Sequence, residues 1–224
     1  MVTIFRIAII LMVVMLIGCG PQKPVAPDTE QTLLQQIDQK FENPDAHYKL
    51  AKIYQSQEQW VKAEYEYTVA IGFSPLNKLP EAGLVKMYED WGRKEQAQAA
   101  LDKAMHSCNT DEELVMLAKA LQKENLHIQA QACYEYALTA AMNKGGIYKE
   151  MGYYYLTIGD KVRAEDAFRK SLELRPYQPD VSAELGRMGV KVVAPPIVHQ
   201  KPATPATTPN VKIEEDIVNK KQQK

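Results

Sequence analysis

The chain has 224 residues, 46% hydrophobic and 25% charged, which is enough apolar content for one or two packed domains. Its 27 basic side chains are matched by 28 acidic ones, which excludes the strongly basic surface that non-specific nucleic-acid binding requires. Three cysteines (Cys19, Cys108 and Cys133) with no CxxC spacing exclude a disulfide framework and give no support to structural zinc.

The first elements are a leader and a tether. Arg6 is the lone charge in the first twenty residues, and the segment from Ile7 to Ile17 is an unbroken apolar run. That run suits the apolar region of a signal peptide and falls short of the ~20 residues of a spanning helix. It ends in Leu16-Ile17-Gly18-Cys19, which resembles the lipobox of bacterial lipoproteins. The resemblance implies removal of residues 1–18 and lipidation of Cys19, the small Gly18 fitting the peptidase pocket. Gly20, where an Asp would favour the inner membrane, implies the outer membrane and its periplasmic face. Several acyl chains would make the anchor stable, at ~0.8 kcal/mol per buried methylene. Pro21, Pro24 and Pro27 then read as part of a polar tether over 19–28.

Residues 29–42 read as one amphipathic helix, with Leu33, Leu34, Ile37 and Phe41 along one side. From Pro44 the sequence PDAHYKLAKIYQSQEQWVKAEYEYTVAIGFSP begins a unit that recurs. Counting Pro44 as one, large residues fall at seven (Leu50), eleven (Tyr54) and twenty-four (Tyr67). Small ones fall at eight (Ala51), twenty (Ala63) and twenty-seven (Ala70). The pattern returns over 78–110 (Leu84, Tyr88, Ala97, Leu101, Ala104), 111–144 (Leu117, Ala118, Leu121, Ala130, Tyr134, Ala137) and 145–178 (Met151, Gly152, Tyr155, Ala164, Phe168, Ser171). It resembles the tetratricopeptide repeat (TPR), with two departures in the first copy: His47 at position four and Glu58 at fifteen. Position fifteen ends the first helix and favours a left-handed residue, as Gly92, Asn125 and Gly159 supply in the later copies. Asn43 before Pro44 is a helix cap, and Thr110 with Glu113 forms a capping box. Gly145-Gly146 reads as a turn between repeats.

A single helical hairpin cannot bury its apolar face, whereas stacked neighbours share a continuous core. The expected fold is therefore all-α: a solenoid of about four helix-turn-helix repeats over 29–190, about ten helices in all. Caps are expected at 29–42 and at 179–189, where Gly189 replaces the large residue at position eleven. The tail, 191–224, is rich in Pro, Thr and Lys and reads as disordered.

No motif for catalysis is present. The four His (His47, His106, His127 and His199) are scattered, and there is no HExxH, GxSxG or P-loop. Neither an enzymatic activity nor a cofactor or metal is expected, and Cys108 and Cys133 read as unbridged, buried small residues. The TPR resemblance implies a concave groove lined from the first helix of each repeat, at positions that include five, nine and twelve. Those positions supply the candidate partner-binding residues Tyr48, Lys52, Gln55, Lys86, Lys119, Gln122, Lys149 and Tyr153. Lys recurs at position nine in three repeats, suiting a partner segment that carries acidic residues. The sequence lacks Asn at position nine, which excludes the carboxylate clamp of chaperone-binding TPR domains. The implied function is a protein-binding adaptor of the cell envelope, serving pilus, secretion or other assembly. Alternatives are a peptidoglycan-associated factor or hydrolase adaptor, and a self-associating structural lipoprotein. Expected partners are envelope proteins and, through the anchor, the membrane. Nucleic acid and small-molecule ligands are not expected.

Overall fold

The structure, a computed structural model, describes residues 28–191. The leader, Cys19, the rest of the tether up to residue 27 and the tail from residue 192 lie outside the described residues. The described chain holds ten α-helices: α1 (Glu30–Gln39), α2 (Pro44–Ser56), α3 (Trp60–Phe73), α4 (Leu79–Asp90), α5 (Lys94–Ser107), α6 (Asp111–Lys123), α7 (His127–Ala140), α8 (Lys144–Thr157), α9 (Lys161–Leu174) and α10 (Pro179–Arg187). None of them is long and apolar enough to cross a membrane.

The helices pair as the period requires: α2 with α3, α4 with α5, α6 with α7 and α8 with α9. Small side chains at the crossings allow this. Ala51, Ala63, Ala118, Ala130 and Ala164 are fully buried, and large residues such as Tyr67, Tyr134 and Phe168 fill the spaces between helices. The last pair crosses closely: a Cβ on Gly152 would lie 2.4 Å from the Phe168 ring. Successive first helices (α2, α4, α6, α8) also pack on one another, more closely than successive second helices do. The stack therefore curves, with the first helices on its inner face. α1 closes one end against α2 and α10 the other against α9, giving an all-α solenoid with a cap at each end.

Each first helix ends alike. Glu58, Gly92, Asn125 and Gly159 all have positive φ, between 58° and 78°. The geometry thus persists in the first repeat although Glu58 has a Cβ that opposes it. Gly189, at φ 83°, stops α10 in the same way. The Asn43 side chain accepts from Ala46 N at 3.2 Å, and Thr110 Oγ1 accepts from Glu113 N at 3.1 Å. The reciprocal half of that second cap is displaced, because Glu113 accepts from Asn109 N rather than from Thr110 N.

Three local expectations need correction. α1 ends at Gln39, so Phe41 lies beyond it, stacking edge-on against His47 and Phe73, and Leu34 is 44% exposed. Gly145 and Gly146 form the first turn of α8, capped by Asn143, instead of a turn between repeats. A Cβ at Gly145 would meet the Arg175 stem at 2.9 Å, and its carbonyl accepts from the buried Ser171 hydroxyl at 2.7 Å, so the close approach explains that glycine. Both described cysteines are free, but only Cys133 is buried; Cys108 is half-buried at the end of α5. Burial pushes the Cys133 thiol up to about 12.

Candidate functional site: the inner face

The inner face brings the eight lining residues into contact with acids, glutamines and tyrosines of the chain itself. In the first repeat, Lys52 Nζ lies 2.7 Å from Glu124 Oε2, and the Tyr48 hydroxyl donates to Glu124 Oε1 at 3.4 Å. Glu124 follows the end of α6, two repeats away, so this contact passes over the second repeat. Burial, with the Glu124 charge beside it, raises the Tyr48 hydroxyl to about 12. Next along the face, Asp90 accepts from Gln55 Nε2 at 2.8 Å and pairs with Lys86. Lys119 Nζ then lies 2.7 Å from Glu150 Oε2. At the far end Asp180 pairs with Lys149 and accepts from the Tyr153 hydroxyl at 3.4 Å. The bond from Lys149 holds the Asp180 carboxyl below the usual carboxylate range.

The glutamines anchor this face to the core. Tyr67 donates to Gln55 Oε1 at 2.6 Å, and Gln122 Nε2 donates to the Tyr134 hydroxyl at 2.7 Å. Positions twelve and twenty-four thus form a polar pair in the first and third repeats, where a buried phenol needs a partner. In the fourth repeat the same positions are Leu156 and Phe168, an apolar pair with no such need.

The four lysines are therefore not a bare cationic ladder. Each has a carboxylate of its own, and none of the four, Glu124, Asp90, Glu150 and Asp180, was among the candidate lining residues. Their signal is weak in sequence, because Glu124 lies past a helix end and reaches Lys52 only through the curvature of the stack. Glu124 is buried, whereas the other three pairs are partly exposed, and such exposed pairs contribute ~0–1 kcal/mol each. A partner's charges can exchange with them at small cost. Among the described residues no group of three or more His, Cys, Asp or Glu is placed to hold a metal ion.

The fold and the inner face define a helical-repeat solenoid. Residues 146–178, the fourth repeat, match the tetratricopeptide repeat family model. No curated protein matches the chain. Among solved structures, the chain is similar to a thermophilic TPR protein of Thermus thermophilus, at 16% identity and a TM-score of 0.35, covering 70% of this chain and 87% of that one. It is also similar to YrrB, a TPR protein with an unusual peptide-binding site, at 16% identity and a TM-score of 0.34, covering 72% and 86%.

Proposed function

We propose that this chain is a non-catalytic scaffold that holds a segment of another protein on its inner face, anchored through a lipid on Cys19 to the periplasmic side of the outer membrane. The observation that carries the binding part is the row of exchangeable rungs: Lys52, Lys86, Lys119 and Lys149, each beside a carboxylate and interleaved with Tyr48 and Tyr153. A segment carrying acidic residues takes over the lysines and releases the carboxylates to its own donors. The tyrosines offer rigid, amphipathic contact area between the rungs. The anchoring part rests on the Leu16-Ile17-Gly18-Cys19 motif alone. Within the envelope the scaffold serves assembly of a pilus, secretion or related complex.

The test is a crosslinking pull-down from native membranes with the full-length chain, its Cys19→Ala variant and a triple Lys52→Glu, Lys86→Glu, Lys119→Glu variant. Expected is a recurrent envelope partner, lost from the triple variant and sensitive to salt. Unchanged capture by the triple variant removes the inner face from the proposal. Unchanged membrane fractionation of the Cys19→Ala chain removes the lipid anchor.

A further inference from the structure

The described chain begins and ends at the same edge of the stack. α1 runs back along α2, so its start lies beside the end of α2, where the Tyr54 hydroxyl donates to Glu30 Oε1 at 3.3 Å. Gln178, just before α10, donates to the carbonyls of Ser171 and Arg175 at the end of α9, so α10 runs back from there and its end reaches the same edge. The turns inside the four repeats, from α2 to α3, α4 to α5, α6 to α7 and α8 to α9, lie along this edge too.

Three of those turns lead into an aliphatic side chain at the second position of the next helix, and each is open to solvent: Val61 is 71% exposed, Ile128 83% and Val162 81%. The second repeat has Glu95 there. Both tryptophans of the chain belong to the turns of the first two repeats. Trp60 and Trp91 stack at 6.1 Å, with the Arg93 guanidinium 3.7 Å over the Trp91 ring. Asp160 is held by Arg163, which leaves the exposed Lys62, Arg93, Lys94 and Lys161 against Glu58 and Glu95 around these side chains. The opposite edge also exposes apolar groups, Leu76, Met142 and Tyr177, but acids stand beside them: Asp45, Asp111, Glu112 and Asp180 fall in the first turns of α2, α6 and α10.

Aliphatic side chains with aromatic and basic neighbours suit the surface of an anionic bilayer. Rings rest at headgroup level, and Lys and Arg reach phosphates while their stems lie along apolar groups. The tether decides which edge meets that surface. Residues 19–27 reach ~30 Å when fully extended, and they join the chain at the edge of Val61 and Trp60. The opposite edge stands further off by the length of a helix, ~20 Å. Once the chain is anchored, contact with the bilayer is intramolecular, so individually weak contacts suffice.

We propose that the edge formed by the turns within the repeats lies on the anionic phospholipid surface, with Val61, Ile128 and Val162 entering the headgroup layer and Lys62, Arg93, Lys94 and Lys161 meeting phosphates. This rests on the lipid anchor at Cys19 proposed above. The inner face runs along the sides of the first helices and not across their ends, so a partner segment keeps its access to the lysine rungs.

The two tryptophans report on this edge alone. The lipidated chain, purified from membranes, is placed in vesicles of phosphatidylethanolamine and phosphatidylglycerol whose acyl chains carry bromine, a short-range quencher of Trp fluorescence. In a second arm the chain from Cys19 onward is held on the same vesicles by an N-terminal polyhistidine tag and a nickel-chelating lipid, which replaces the acyl anchor. Expected in both arms is about twofold quenching relative to vesicles without bromine, most of it lost in a triple Val61→Asp, Ile128→Asp, Val162→Asp variant that keeps its helical circular dichroism. A Leu76→Asp, Met142→Asp variant of the opposite edge quenches as the unaltered chain does. Unchanged quenching in the triple variant, or none in either arm, overturns the proposal. Equal quenching on phosphatidylcholine vesicles overturns the part assigned to charge. Mass spectrometry of Cys19 judges the anchor separately. A lipidated Cys19 without quenching overturns the membrane contact and spares the anchor; an unmodified Cys19 overturns the anchor, and quenching in the tagged arm then still sustains the contact.

Discussion

The first and fourth repeats share one backbone but are held by different chemistry. The fourth closes on apolar contact: Gly152 lets the Phe168 ring lie against α8, and Leu156 takes position twelve. The first closes on polar bonds. His47, 1% exposed, places Nδ1 2.5 Å from Glu66 Oε2 and Nε2 2.8 Å from the Phe41 carbonyl, and Gln55 satisfies the Tyr67 hydroxyl. The repeat geometry is therefore fixed by the small residues at the crossings, which both copies keep. The large positions tolerate a change of chemistry when an outside residue completes the bonds. In the first repeat those outside residues are Phe41 from the segment after α1 and Asp90 from the next repeat.

Removing the chief side chain of each repeat breaks the comparison most directly. Phe168→Ala empties the core of the fourth repeat and is expected to cost about 4 kcal/mol in urea denaturation. His47→Leu keeps the volume of the first repeat but strips Glu66 and the Phe41 carbonyl of a partner, and is expected to cost about 2 kcal/mol. Were His47→Leu neutral, the polar closure would contribute nothing beyond shape. The turns offer a smaller contrast of opposite sign. Glu58→Gly is expected to stabilise by about 1 kcal/mol, because Glu58 holds φ at 58°, whereas Gly159→Ala is expected to destabilise by a similar amount. The smallest effect belongs to the exposed rungs. Lys119→Ala is expected to change thermal stability by less than about 1 kcal/mol, and high salt should erase even that.

Much of this was legible in the sequence because packing at a helix crossing permits few residue types. Ala51, Ala118 and Gly152 recur on schedule, and so the helix pairs and their order follow. The lining positions were assigned by counting along that period as the TPR resemblance implies. Their partners were not: whether Lys52 meets a carboxylate depends on the rotation from repeat to repeat, which no local spacing encodes. Lys78 and Glu81 mislead in another way. Two charged residues at a helix start look solvated, and only the seating of α4 against α3 and α5 buries them. Gly145-Gly146 reads as a turn because glycine is poor in helices. Their place in α8 reflects the Arg175 stem lying too close to Gly145 for a side chain there.

The bridge from Glu124 to Lys52 and Tyr48 changes how the stack should come apart. An array in which each unit touches only its neighbours melts like a row of independent links, fraying from its ends. A bond that skips a unit acts as a clasp, so the first three repeats gain a reason to open together. The fourth has no such clasp among the bonds described, and remains free to loosen by itself. The molecule would then stretch as a stiff block joined to one softer segment at its C-terminal side. Hydrogen exchange would register this as a single shared opening across α2–α7 and a lower, separate one for α8 and α9.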